Sequence, residues 1–297
     1  DTNDFETANI EYVEFWLLDP FIYTRDQADA SLYGGDLYIN LGEVSEDILR
    51  DGKKFYESGM PVDGTNSVTT TQWGKIPVQA TQTYAFATTT GAREKQDVGY
   101  NGLTDAEEQT FDSYADFRTF AQTVTNDSIR TAWQRDPAND NYQYFRGREL
   151  DERKATILER YKRINNPQGN SPDNDTQTEG YDTSYKTTPD VEDINQDYTL
   201  NEYERYYQYK ISLRPEDFDE SRIGQNYLSE IRESSAPLRN GKKEKVKWYK
   251  FRIPLNSTDR DKVGSISDLT SIRFIRMFLT NFKRPIILRF GSLDLVR

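Results

Sequence analysis

Apolar and polar positions alternate with a period of two at both ends of the chain. Ile10–Leu18 (IEYVEFWLL) is rich in β-branched and aromatic residues and stops at the turn signal Asp19-Pro20. After Gly34-Gly35, Leu37, Ile39 and Leu41 alternate with Tyr38 and Asn40, the pattern of a half-buried strand. Near the other end Tyr249, Phe251, Ile253 and Leu255 alternate with Lys250, Arg252 and Pro254. Pro254 has no N–H to give a ladder and belongs at an edge or a strand end. Ile275, Met277 and Leu279 repeat the alternation. A last run, Ile286, Leu288 and Phe290, changes phase at Gly291-Ser292 and resumes at Leu293 and Leu295, which predicts a β-bulge.

The middle reads differently. Thr104-Asp-Ala-Glu107 has capping-box spacing, and Phe111, Tyr114, Phe117 and Ala121 follow at helical intervals. In 151–164 the positions Ile157, Leu158, Tyr161 and Ile164 share a helical stripe with Leu150. Residues 165–190 hold almost no aliphatic side chain and read as a long surface loop. Strands at both termini pair only if the middle leaves the sheet and returns. The predicted fold is therefore mainly β, an antiparallel jelly-roll-like β-sandwich with a helical insertion. Residues 1–51 would give its first strands, 52–240 a mixed acidic insertion and 241–297 its last strands.

Composition narrows the chemistry. The 297 residues include no Cys and no His, which removes thiolate or imidazole metal sites, cysteine nucleophiles and Ser-His-Asp triads. Carboxylates and oxygen-liganded metals remain. Apolar runs such as Phe15–Leu18 and Ile286–Leu288 are too short for a transmembrane helix or signal-peptide core. The first residues have neither a basic start nor an apolar stretch, as expected of a mature or excised segment. Residues 241–297 hold 14 Lys+Arg and 5 Asp+Glu, a net +9; subtraction from 38 and 50 leaves 24 and 45 in 1–240, a net −21. That acidic majority disfavours nucleic acid as a partner.

Two segments have the spacing of calcium loops. In Asp97–Glu108 (DVGYNGLTDAEE), Asp97, Asn101, Asp105 and Glu108 hold positions one, five, nine and twelve, Gly102 the turn, and the Leu103 carbonyl position seven. Gly99 stands at position three, where Asp or Asn is usual, so one ligand is missing. In Asp193–Glu204 (DINQDYTLNEYE), Asp193, Asn195, Asp197 and Asn201 hold positions one, three, five and nine, the Thr199 carbonyl position seven and Glu204 position twelve. Tyr198 departs from the glycine geometry of position six, and the ERYYQYK that follows can continue as a helix. A Ca2+ ion in either loop would be structural, and no catalytic site is expected: with 50 acidic residues, carboxylate pairs by themselves do not specify a glycosidase. The alternative is a carbohydrate-binding β-sandwich module using Trp16, Trp73, Trp133 or Trp248 as stacking platforms.

Six separated stretches in the same order, NIEYVEFWLLDPF, GGDLYINLGEVSEDILRDGKK, QDVGYNGLTDAEE, PDVEDINQDYTLNE, YYQYKISLRP and SIRFIRMFLTNFKRPIILRFGSLDLVR, resemble a segment of the SprA/Sov family. These are very large outer-membrane translocon proteins of the Bacteroidetes type IX secretion system, linked in some members to gliding motility. The resemblance runs from Asn9 to Arg297. It implies a noncatalytic soluble part, set between strands of a giant barrel without itself spanning the membrane, with a structural, gating or partner-docking role. The implied partners are the rest of the barrel, a PorV-type barrel, a plug component and secreted cargo proteins. The extracellular face of the outer membrane is the expected side.

Overall fold

The computed structural model describes residues 3–49, 51–53, 55, 59–62, 67–79, 85–171, 193–195, 197, 199–237 and 241–297. The chain divides into two compact units: 1–44 together with 203–297, and 45–202.

The first unit is a β-sandwich. Before the insertion come β1 (Tyr12–Leu18) and β2 (Gly35–Glu43). The insertion contributes the short ribbon β3 (Val68–Thr70) and β4 (Lys75–Pro77). After it come β5 (Arg205–Leu213), β6 (Leu228–Pro237), β7 (Lys243–Pro254), β8 (Asp261–Val263), β9 (Phe274–Thr280) and β10 (Phe290–Val296). One four-stranded sheet has the order β10-β1-β7-β6 and the other β8-β5-β2-β9, with antiparallel pairing throughout. Within this unit the first strand pairs with the last, the second with the last but one, and so inward to β6·β7. The chain is rolled like one long hairpin, the pairing from which jelly-roll-like sandwiches are built.

Alternation explains why these residues are strands. Val13, Phe15 and Leu17 point into the core with Leu37, Ile39 and Leu41, Tyr249, Phe251 and Ile253. Phe15 is fully buried and stacks on Phe251 at 5.1 Å between ring centroids. The intervening positions of β1 face outward, where Glu14 lies beneath Lys250 (2.7 Å) and Arg252 (3.0 Å). The expected bulge is present: Trp16 pairs with Ser292 and Leu17 with Phe290, so Gly291 is skipped. Pro254 ends β7.

The ERYYQYK stretch, which could have continued as a helix, lies instead in the strand β5. Tyr207, Tyr209, Ile211 and Leu213 are buried at every second position, and the register with β2 runs unbroken from Gly35↔Leu213 to Glu43↔Arg205. The Tyr and Ile residues here favour a strand, and burying four large side chains on one face adds to that preference. β5 and β6 lie within the 52–240 span expected as the acidic insertion. Charge marks solubility, while strand pairing follows the apolar alternation.

Among the described residues the second unit carries six short helices: α1 (Arg93–Gln96), α2 (Asp105–Glu108), α3 (Ala115–Gln122), α4 (Asp127–Arg135), α5 (Arg148–Glu152) and α6 (Ile157–Arg160). Leu49, Phe55, Met60, Ile76 and Val98 form a small core there. The single helical stripe expected over 151–164 is broken in two. Lys154 turns left-handed (φ 54°) and Thr156 opens a new helix through a capping box with Glu159, leaving Ile157, Leu158 and Tyr161 exposed. The loop read over 165–190 lies outside the described residues from 172 onward. Its first part is not free surface, because Asn170 and Ser171 are buried and Gln168 bridges to Asn141.

Phe15→Ala should lower the unfolding free energy by about 3–5 kcal/mol, since the ring is fully buried, stacked on Phe251 and in tilted contact with Phe290. A urea titration followed by far-UV circular dichroism measures this, and a change under about 1 kcal/mol would place Phe15 outside the core.

Candidate metal centre

The first loop assembles part of its expected donor set and recruits the rest from elsewhere. Asp105 and Glu108 stand at the two ends of α2, opened by the Thr104–Glu107 capping box. Glu107 also holds Lys75 at 2.5 Å, which ties the helix start to β4. Asp136, just after α4, and Asp140 close on them, and one carboxylate oxygen from each of the four residues lies within 4.8 Å of the others. Glu108 is fully buried and Asp136 nearly so.

Fixed donors orient three of these carboxylates. Glu108 Oε1 accepts from Asn101 Nδ2 at 2.6 Å and its Oε2 from the Ala138 N–H at 3.1 Å. Both Asp105 oxygens accept from Asn141 Nδ2, at 3.0 and 2.9 Å. Asp136 accepts the Asp140 and Asn141 N–H groups and faces Arg163 at 3.5 Å. Asp140 Oδ1 is buried without a hydrogen-bond partner among the described residues. Burial pushes the Asp140 carboxyl up to about 8, with the charges of Glu108, Asp136 and Asp105 adding to it. Burial also raises Asp105 and Glu108 above the usual carboxylate range.

Gly99, the defect at position three of the loop, has a spatial reason. A Cβ on Gly99 would overlap the Asp140 carboxylate and crowd Asn101 Oδ1. The space that a position-three side chain would use is taken by an acid from a segment forty residues on. Gly102 has φ 67°, and a side chain there would strike the Lys75 carbonyl of β4. Asp97 looks elsewhere: its oxygens accept the Gly169 and Ser171 N–H groups at 3.1 and 3.0 Å. Asn101 serves as a spacer to Glu108 and Leu103 rather than as one of the four acids, and the Leu103 carbonyl accepts from the Gly99 N–H. Asp136 and Asp140 were not singled out in sequence. Their signal is the oxygen-rich turn DPANDN after a helix, where Asn139 adopts φ 55°.

The second loop organises itself around a side chain outside it. Glu46, buried, accepts the Ile194 N–H on Oε1 and the Asn201 N–H and side-chain amide on Oε2, all at 2.9 Å. Its own N–H donates to the Asn201 carbonyl at 2.8 Å. Asp193, Asn195 and Asp197 use their oxygens locally: the first two accept the Asp197 N–H and Asp197 accepts from Thr199. Tyr198 lies outside the described residues. Glu204 belongs to the sandwich unit and holds Arg276 through both oxygens at 3.2 Å. Glu46 escaped the sequence reading because its partners are some 150 residues away.

These features define a class: a β-sandwich interrupted by an acidic helical unit with a four-carboxylate centre. A family model described as SprA_N, motility related/secretion protein, matches residues 116–297. That is more than half of the chain, and the chain belongs to this family. No curated protein matches it. No helix among the described residues is long and apolar enough to cross a membrane.

Two outcomes are expected. With its carboxyl raised from 3.8 to about 8, native Asp140 keeps a proton that the unfolded chain releases, so the metal-free protein loses stability as pH rises through that window. Melts in chelator at about pH 6 and about pH 8.5 should show the lower midpoint at the higher pH, with Asp140→Asn reducing the difference. Glu46→Ala should cost about 2–3 kcal/mol by stripping the acceptor from two backbone N–H groups, read by denaturant unfolding and faster amide exchange at Ile194 and Asn201.

Proposed function

We propose that the chain is a noncatalytic domain of an outer-membrane protein-secretion translocon of the type IX kind. Its work there is structural, as a gating or partner-docking element, and its helical unit is braced by a divalent cation. The observation that carries the secretion role is the family match over 116–297. The rest of the translocon barrel, a PorV-type barrel, a plug component and cargo are the partners this reading names, with the extracellular face as its site.

The cation reading rests on geometry. Four carboxylates crowd within 4.8 Å, and two of them are almost wholly withdrawn from water. Among the described residues Arg163 is ion-paired to the centre, beside Asp136. Such a site stores mutual repulsion that Ca2+ converts into attraction, and oxygen-only donors with one unused Asp140 oxygen suit a hard ion. This reading gives the centre a bracing role and no catalytic one.

The carbohydrate-binding alternative asks for aromatic rings open on one sheet face. Trp16 and Trp248 do share the outer face of the β10-β1-β7-β6 sheet. Arg232 and Lys250, however, lie over the Trp16 ring at 5.2 and 6.0 Å, occupying the π-face that a sugar would need.

Calorimetry with CaCl2 should give one ion per chain at this centre. At a free concentration about 100 times Kd, calcium should add about 2.7 kcal/mol of stability. Gly99→Ala, which displaces Asp140, and Asp140→Asn should both abolish the shift. A full shift in both variants would remove the cation from this centre. For the secretion role, the same variants placed in the full-length protein of the native organism should reduce released cargo at unchanged protein abundance, and unchanged release would count against a braced insertion in transport.

A further inference from the structure

The sandwich is incomplete along one side. β9 and β10 are edge strands of the two sheets, joined by the short link 281–289. Cross-strand partners in an antiparallel pair share a face, so the register shows which side chains of these edges aim into the sandwich. Ile275 and Leu279 lie opposite Leu41 and Leu37; Leu293 and Leu295 lie opposite Phe15 and Val13. Each of those four partners is buried. The edge residues themselves are 39%, 45%, 47% and 42% exposed, and Phe290, opposite Leu17, is 42% exposed. The inward row of β10 is thus apolar, carries no charge and remains in water, next to a free line of backbone donors and acceptors. Natural edges usually protect themselves with an inward charge or a covering segment, and an edge with neither is an acceptor for a further strand.

Charge selects the occupant. Residues 273–297 hold six basic residues against the single acid Asp294. Arg273, Arg276 and Arg284 are paired with Glu43, Glu204 and Asp29. Lys283, Arg289 and Arg297 form no ion pair among the described residues, and they flank the link and both ends of β10. A second copy of this edge would bring the same positive charge and be repelled. We infer that β10 accepts an extended segment of another polypeptide, apolar at alternate positions and acidic between them, which adds a strand to the sheet and covers Phe290, Leu293 and Leu295. Main-chain pairing supplies affinity and the apolar row sets the register, the usual division of labour in strand addition. This inference gives the docking role a partner chemistry, but it rests on unit geometry alone and does not require the secretion reading or the cation.

The test uses the full chain and a fluorescein-labelled nine-residue peptide alternating valine with glutamate, beside the same peptide with lysine for glutamate. Anisotropy should show the glutamate peptide binding at least tenfold tighter, with amide-exchange protection gained in 290–296. Leu293→Lys should weaken it at least tenfold, and Leu279→Lys across the gap serves as a second variant should the first fail to fold. No binding at millimolar peptide, equal affinity for the lysine peptide, or binding untouched by a folded variant would overturn the proposal. So would a dimer in sedimentation that Leu293→Lys dissociates, because the occupant would then be a second copy.

Discussion

The insertion leaves the sandwich at Glu43 and the chain returns at Arg205, two residues that face each other in register and share an ion pair. β2 and β5 are therefore the arms of a hairpin whose loop is an entire folded unit. Closing a loop costs free energy that grows only with the logarithm of its length, about 0.6 kcal/mol per doubling, so a large insertion is tolerated where a nine-residue register holds the arms together. The second unit ties its own ends in the same way, with Glu46 and Asn201 exchanging backbone and side-chain hydrogen bonds. Each unit is closed at its base by short-range pairing between residues far apart in sequence.

That arrangement gives the carboxylate centre its character. Asp105 and Glu108 come from the two ends of a short helix, while Asp136 and Asp140 come from a turn after another. Helices of four or five residues do not hold themselves together in water. Their relative placement depends on contacts such as Asn141 with Asp105, Asn101 with Glu108, and Asp97 with the backbone at 169–171. Four acids in one place oppose folding unless something neutralises them, which couples the order of this unit to protons or to a cation. The sandwich faces the opposite problem at β10, where apolar surface rather than charge is left uncompensated.

Strand pattern was the most readable property. β1, β2, β7 and β9 appear in the sequence as period-two runs, and Gly291 shows its bulge as a phase change. The helix allowed for ERYYQYK does not form, because Tyr207, Tyr209, Ile211 and Leu213 have the spacing of a strand face and pair in unbroken register with β2. The 151–164 stripe failed for the reverse reason, since a capping box at Thr156 restarts the helix and leaves the stripe without a surface to cover.

Composition and spacing establish that no thiol or imidazole chemistry is present, that the two ends are strands, and that Asp105 and Glu108 stand in an oxygen-rich segment beside a needed turn at Gly102. These follow from composition and from spacings within about a dozen residues, where local geometry is dictated by the chain itself. Only the tertiary structure decided which acids meet. Asp140 fills the space left by Gly99, and Glu46 gathers the Ile194 and Asn201 N–H groups of the second loop. Both depend on segments brought together from tens to more than a hundred residues apart, and no single-chain period records such a meeting.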